Sequence, residues 1–359
     1  MRYIVHDKKY NFKYGFDTVT GAYIRTGILD EEGHDTGVDP FMGSYPHLID
    51  VGVMGHCIHG KTGLCAKAGI GCYQSGLFVE EPNMSVDDFR WIAEQSKGRS
   101  NQFALGGRGD PDQHEHFEEL LQICRKNNIV PNFTTSGYGM TPEIAELCKK
   151  YCGAVAVSWY RSKYTLRAID MLLKAGVRTN IHYVLGKNSI DEAIERLEND
   201  NFPDGINAVI FLLHKPAGQG TVENMLAVSD PRVEKFFAQI DKQHPFKVGM
   251  DSCNVPGAIR FCKSILRESL DTCEGARYSC YISPDMVMVP CSFDQKKRYE
   301  VSLKDKTIEE AWNSEPFEKF RDKMRGACSE CEKRALCLGG CPLMPEIVFC
   351  DSDKRKVEE

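Results

Sequence analysis

Long apolar runs are missing from this sequence. The longest, Ala208–Leu213, falls far short of the ~18 residues that a membrane span takes, and suits a buried strand instead. The opening stretch Met1-Arg2-Tyr3-Ile4-Val5-His6-Asp7 has no apolar core followed by a small-residue cleavage site, so it does not read as an export signal. Excess positive charge is missing too. Lys and Arg number 45 against 51 Asp and Glu, and the net charge of −6 argues against general nucleic-acid binding. There is no GXGXXG fingerprint and no P-loop Lys, which removes the two commonest glycine-rich phosphate cradles. Repeats at solenoid spacing and low-complexity stretches are absent as well. The expectation is a cytoplasmic protein with no membrane segment.

Cysteine is what the chain has in abundance. Of sixteen, six lie before residue 246 and ten after it, eight of those between Cys273 and Cys350. Disulfides at that density belong to small exported domains, whereas this chain is large and shows no export signal. In a reducing compartment, thiolates at short spacings read as ligands of a metal or an iron–sulfur cluster. The strongest pattern is Cys328, Cys331, Cys337 and Cys341, spaced CX2CX5CX3C, with Cys350 beyond and Cys273, Cys280 and Cys291 upstream. Four thiolates hold a [4Fe–4S] cube, and a CX2C loop lets two of them grip neighbouring corners. Tetrahedral zinc takes the same knuckles, so these cysteines divide into two four-ligand sites under either metal.

The middle of the chain alternates strand and helix. Strand-like segments fall at 46–53, 101–106, 129–134, 154–158, 177–185 and 206–213. Helical patterns separate them, one opening on a cap at Ser85 before Phe89, Ile92 and Ala93, another on Thr141 with Pro142 at the first helical position. Repeated units of this kind imply an α/β fold with a parallel sheet and right-handed crossovers, enough for an open partial barrel and too few for a closed eight-stranded one. After residue 245 the pattern changes. Residues 246–251 read as one more strand, then cysteines dominate, with an amphipathic helix over 307–324. Three regions follow: a strand-rich extension over 1–45, the partial barrel over 46–245, and a cysteine-rich domain over 246–359.

The C-terminal pattern resembles the SPASM domain, the extension of radical S-adenosylmethionine (SAM) enzymes that carries two auxiliary [4Fe–4S] clusters. Cys273 and Cys291 match its first half, with Met286 where the family has a glycine; the CX2CX5CX3C half matches without departure, and Trp312-Asn313 between them is typical. The resemblance implies interleaved ligands. Cys273, Cys280, Cys291 and Cys341 would hold the first auxiliary cluster; Cys328, Cys331, Cys337 and Cys350 would hold the second.

A radical SAM enzyme needs a third cluster, held by three cysteines after the first barrel strand so that its fourth iron stays open to SAM. The family's usual CX3CX2C motif is missing here. In its place stand Cys57, Cys65 and Cys72, followed by Tyr73, on a loop that Gly60, Gly63, Gly69 and Gly71 let bend. Gly106-Gly107-Arg108-Gly109-Asp110 resembles the family's loop whose backbone receives the SAM amino group, which assigns Gly106, Gly107, Gly109 and Asp110 to the cofactor. By the same resemblance, Ser158 and Arg161 would contact the SAM ribose and carboxylate, the latter through a guanidinium fork, and Phe211 would flank the adenine.

The implied fold is a partial (β/α)6 radical SAM barrel followed by a SPASM domain, with three [4Fe–4S] clusters and SAM as cofactors. The implied activity is reductive cleavage of SAM, with the 5′-deoxyadenosyl radical modifying a substrate, by family frequency a peptide or protein side chain. A flavodoxin or ferredoxin would supply the electron. An oxidoreductase or carbon-skeleton enzyme acting on a small molecule is the alternative within the family. A zinc-stabilised binding protein is the alternative outside it, and the strand–helix alternation, the third cysteine group and the acidic balance weigh against that one.

Asp251 and Cys253 follow the last strand, where a barrel delivers side chains to its open mouth. Alternation puts both on one face, so they are the candidate catalytic residues: a carboxylate to hold substrate or take a proton, and a thiol to donate a hydrogen atom. Cys124, Cys148 and Cys152 sit in apolar helical patterns and read as packing. His114 and His116 point to different sides of a helix start and read as solvated.

Overall fold

Strand–helix alternation produces one large sheet in the computed structural model, which describes residues 2–76 and 78–350. Three antiparallel strands come first, β1 (Arg2–Asp7), β2 (Phe12–Asp17) and β3 (Tyr23–Arg25). Seven parallel strands then follow in chain order, each paired with the next: β4 (Leu48–Met54), β5 (Gln102–Gly107), β6 (Val130–Thr135), β7 (Val155–Ser158), β8 (Thr179–Leu185), β9 (Ala208–Leu213) and β10 (Lys247–Met250). All six strands expected before residue 214 are present, and β10 is the one expected after it. The sheet stays open, since β4 and β10 do not pair.

The free edge of β4 is taken by β11 (Ser279–Ile282), which runs parallel with Ser279 opposite Leu48 and Tyr281 opposite Asp50. β12 (Val287–Val289) and β13 (Val301–Ser302) continue outward antiparallel. The division expected at residue 245 therefore falls inside a continuous sheet, because the cysteine-rich region supplies both of its edges.

Period two decides which side chains meet the helices. On β8, Thr179, Ile181, Tyr183 and Leu185 are buried, whereas Asn180, His182 and Val184 are only half-buried on the other, inner face. Tyr183 packs on Phe202, and Phe211 of β9 packs edge-on against Phe236 of the helix Pro231–Ile240. The helix Val86–Ser96 starts where its cap was expected, with Ser85 Oγ accepting from the Asp88 amide, and buries Phe89, Ile92 and Ala93. Thr141 caps the helix Pro142–Tyr151 in the same way. Each fully buried Phe or Ile of this layer contributes about 1.5–3 kcal/mol relative to exposure.

The helix expected over 307–324 is two helices, Ile308–Trp312 and Glu315–Gly326. Pro316 lies in the first turn of the second, and its ring and missing N–H would break a continuous ladder there. Trp312 is fully buried and donates to the Gly43 carbonyl at 3.0 Å, tying this region to the chain's beginning.

The N-terminal extension is strand-rich as expected and covers the amino end of the sheet. Phe12 and Tyr14 pack with Tyr278, and Tyr23 Oη lies 2.8 Å from His47 Nδ1 just before β4. Arg277 is fully buried, donating to the Phe41 carbonyl at 2.6 Å and to Asp39 at 2.8 Å. With that end closed, the opposite end, where the parallel strands finish, is where loops converge. Among the described residues no helix is long and apolar enough to cross a membrane.

Candidate functional site

β4 ends at Met54, and the chain enters a long loop that returns at residue 81, where the Glu81 amide donates to the Gly55 carbonyl at 3.2 Å. Cys57, Cys65 and Cys72 stand on this loop, close enough to perturb one another electrostatically. Loops from two later strands hold it. Cys65 Sγ lies 3.2 Å from Tyr160 Oη after β7, and the Gln219 amide after β9 donates to the Cys72 carbonyl at 2.9 Å. Gly71 has no room for a side chain, since a Cβ would sit 2.3 Å from the Gln219 carbonyl oxygen.

The group's fit to an iron–sulfur cube can be tested on the space beside it. The Gly76 amide donates to Cys72 Sγ at 3.4 Å, and a Cβ on Gly76 would lie 3.6 Å from that sulfur and 3.0 Å from Cys57 Cβ. A glycine thus keeps the space between two of the thiols clear. Burial pushes the Cys57 thiol up and the Cys65 thiol up to about 11. These two thiols become good thiolates only with a cation to share the charge. The donor set fits a cluster that has one iron left open.

The glycine-rich loop after β5 runs directly beneath. Gly107 has φ 113°, and a Cβ there would meet the Met54 carbonyl oxygen at 2.4 Å; at Gly109 it would meet that of His56 at 2.7 Å. Gly106 instead faces open space, with nothing within 4 Å of where a Cβ would be. Asp110 is tied to the loop after β6, accepting from the Ser136 amide at 2.8 Å and from its hydroxyl, and lies 3.6 Å from His59 Nε2.

Ser158 closes β7 on the inner face, half-buried. Arg161 is already engaged: its guanidinium pairs with Glu192 and reaches the Ala68 carbonyl of the cysteine loop at 3.3 Å and Tyr183 Oη at 3.4 Å. It braces the loop rather than offering a free fork. Phe211 does not face the inner side. It is fully buried between Tyr183 and Phe236 in the helical layer, and Ile210 and Leu212 hold the inner face of β9.

The C-terminal thiols form two groups. Cys337 is surrounded by Cys350, Cys328 and Cys331, and burial with these neighbours pushes its thiol up to about 11. Beside it, Gly339 has φ 79° and a Cβ there would lie 3.9 Å from Cys328 Sγ. In the other group Cys291 and Cys273 are neighbours, Cys253 is near both, and the Cys253 thiol interacts with that of Cys341. Cys280 is not brought to this group. It lies on β11, buried, opposite Ile49 and near Asp50. Met286 has φ 63°, so the backbone takes the left-handed turn that a glycine would make there without strain.

Asp251 lies at the mouth, as expected, but is fully partnered. It accepts from Lys215 Nζ at 2.6 Å, the Leu213 amide at 3.2 Å and Asn254 Nδ2 at 2.8 Å. Lys215, which sequence reasoning passed over, is buried and lies 4.5 Å above the Phe293 ring; Phe293 in turn stacks on Tyr73 at 4.3 Å. The aromatic after the third loop cysteine thereby joins the two cysteine regions. The polar inner face was also missed. Thr134 Oγ1 lies 3.1 Å from His182 Nδ1, burial lowers His182 to about 4, and burial raises Asp50 to about 7. Alternation along β8 alone would have put His182 there.

Cys124 and Cys148 are buried packing residues as expected. His114 is not solvated: it is 5% exposed, with Nε2 3.1 Å from the Met84 carbonyl. The exposed trio Asp30, Glu32 and His34 brings ligand atoms together, as surface acidic groups often do.

Residues 273–332 match the SPASM family, an iron–sulfur cluster-binding domain. The mycofactocin maturase MftC of Mycolicibacterium smegmatis is 23% identical over 322 residues, covering 78% of this chain and 76% of the relative. The structure is similar to Streptococcus suis SuiB bound to S-adenosylmethionine, with a TM-score of 0.63 at 17% identity, over 88% of this chain and 78% of that one. SuiB bound to its precursor peptide SuiA gives the same TM-score at 14% identity, over 99% of this chain and all of that one.

Proposed function

We propose that this chain, a radical SAM enzyme with a C-terminal SPASM domain, holds three [4Fe–4S] clusters and modifies a peptide or protein side chain. The observation that carries this is the convergence of three thiol groups, one of them a trio on the loop at the carboxyl end of β4. Cys57, Cys65 and Cys72 would hold the SAM-binding cluster. Bound there, cluster and SAM supply the one-electron chemistry that yields methionine and a 5′-deoxyadenosyl radical able to abstract hydrogen from substrate. A flavodoxin- or ferredoxin-type donor fits the need for single electrons.

The chain's own residues shape the rest. Gly106 leaves room at the inner face for the SAM amino group, and Gly107 and Gly109 let their loop lie against the cysteine loop. Asp110 fixes that loop to Ser136, Ser158, half-buried at the end of β7, would contact the SAM ribose, and Arg161 with Glu192 steadies the cysteine loop. A peptide substrate is supported by the relatives, one a maturase and one bound to its precursor peptide over the same fold.

Anaerobically purified protein should be brown and, given SAM and a strong reductant, should form 5′-deoxyadenosine. A colourless, zinc-loaded protein would overturn the proposal. The ligand sets make a second prediction: Cys341→Ala should perturb the same cluster as Cys291→Ala, and Cys337→Ala the other. Mössbauer or electron paramagnetic resonance spectra that pair Cys341 with Cys337 would sink this arrangement.

A further inference from the structure

We infer that Cys253, and not Cys280, is the fourth ligand of the auxiliary cluster held by Cys273, Cys291 and Cys341. The inference rests on the SPASM reading above and assigns a residue within it. The three other thiols need a partner within one cube's width, since four thiolates complete a [4Fe–4S] site. The Cys253 thiol interacts with that of Cys341 and has Cys273 and Cys291 as its other sulfur neighbours. Cys280 has none of them nearby; its side chain lies within the sheet beside Asp50 and Tyr45.

The fold holds Cys253 in this position through contacts of its own. β10 pairs with β9, and the Asp251 amide donates to the Phe211 carbonyl at 3.0 Å, which fixes where the chain leaves the sheet. Asn254 is fully buried and pins the following turn, its Nδ2 donating to the Phe211 carbonyl at 3.1 Å and to Asp251 at 2.8 Å. The helix Val255–Phe261 then approaches the C-terminal segment so closely that a Cβ on Gly257 would meet the Phe349 ring at 2.8 Å. Lys215, buried beside Cys253 and Cys341, places a positive charge against the group, which suits a set of four thiolates around iron.

The assignment has a chemical consequence. With four protein thiolates every iron of this cube is covered, so no position is left for a substrate thiol. It also removes Cys253 as a free hydrogen-atom donor.

The test uses the full chain carrying Cys57, Cys65 and Cys72 all replaced by Ala, so that about eight irons remain in two cubes. After anaerobic reconstitution, adding Cys253→Ala should lower iron to about seven or fewer and convert one cluster's Mössbauer signature, whereas adding Cys280→Ala should leave both iron and spectrum unchanged. Cys253→Ser, which keeps an oxygen ligand, should retain the iron with a shifted spectrum, separating ligation from misfolding. Iron loss with Cys280→Ala and an unchanged spectrum with Cys253→Ala would overturn the assignment alone. A parent with no iron at all would overturn the SPASM reading beneath it.

Discussion

Replacing Cys57, Cys65 and Cys72 together by Ala is expected to abolish 5′-deoxyadenosine formation and to lower iron from about twelve to about eight per chain. The loss should be that specific because the trio sits on its own loop. Its contacts run to Tyr160, Arg161 and Gln219, all on the barrel, and Tyr73 reaches across to Phe293. The C-terminal thiols are held by a different set of contacts and should keep their clusters. Iron analysis and chromatography of the reaction products measure the two effects independently. SAM cleavage surviving in the triple variant would show that the loop does not hold the SAM-binding cluster, whatever the spacing of its cysteines suggests.

The three cysteine regions were legible in the sequence because their members lie at short spacings, and spacing survives in one dimension. The strands were legible for a similar reason: residues 177–185 alternate, and alternation is a direct image of a pleated surface. Legibility ended where a contact spans the fold. Cys280 lies near Cys273 in sequence, yet β11 carries it into the sheet beside β4, while β10 brings Cys253 from twenty residues upstream to meet Cys341. Phe211 was assigned to the wrong face because Ala208–Leu213 is a continuous apolar run. A parallel strand buried on both sides leaves no alternation to read. Arg161, on the loop after β7, looked free for a carboxylate because its partner, Glu192, lies on the distant helix Ile190–Glu198. The left-handed Met286 shows the reverse case, where the backbone takes a conformation that favours glycine although the residue is not one.

Asp251 was expected to serve substrate, and the structure gives it a partner that turns the question into a measurement. Its carboxylate is 20% exposed and Lys215's side chain 4%, with 2.6 Å between them. Burial pulls the Lys215 ammonium down, but Asp251 outweighs it and holds the group charged. Removing one member of a buried pair leaves the other uncompensated, at a typical loss of about 3–5 kcal/mol. Asp251→Asn should approach that range, since Lys215 would lose its one carboxylate and keep the Leu213 carbonyl, 3.0 Å away, and the Phe293 ring. Lys215→Met should cost less, near the lower end of ~3–5 kcal/mol, because Leu213 and Asn254 still donate to Asp251. The double variant should recover most of the loss, because both charges leave together. Denaturant unfolding under anaerobic conditions reads all three, and product formation is followed beside it. Stability that stays unchanged in Asp251→Asn while product formation collapses would return Asp251 to the substrate side. Coupled losses that the double variant repairs would identify it as the tether holding Lys215 over Phe293, between the barrel mouth and the Cys253 group.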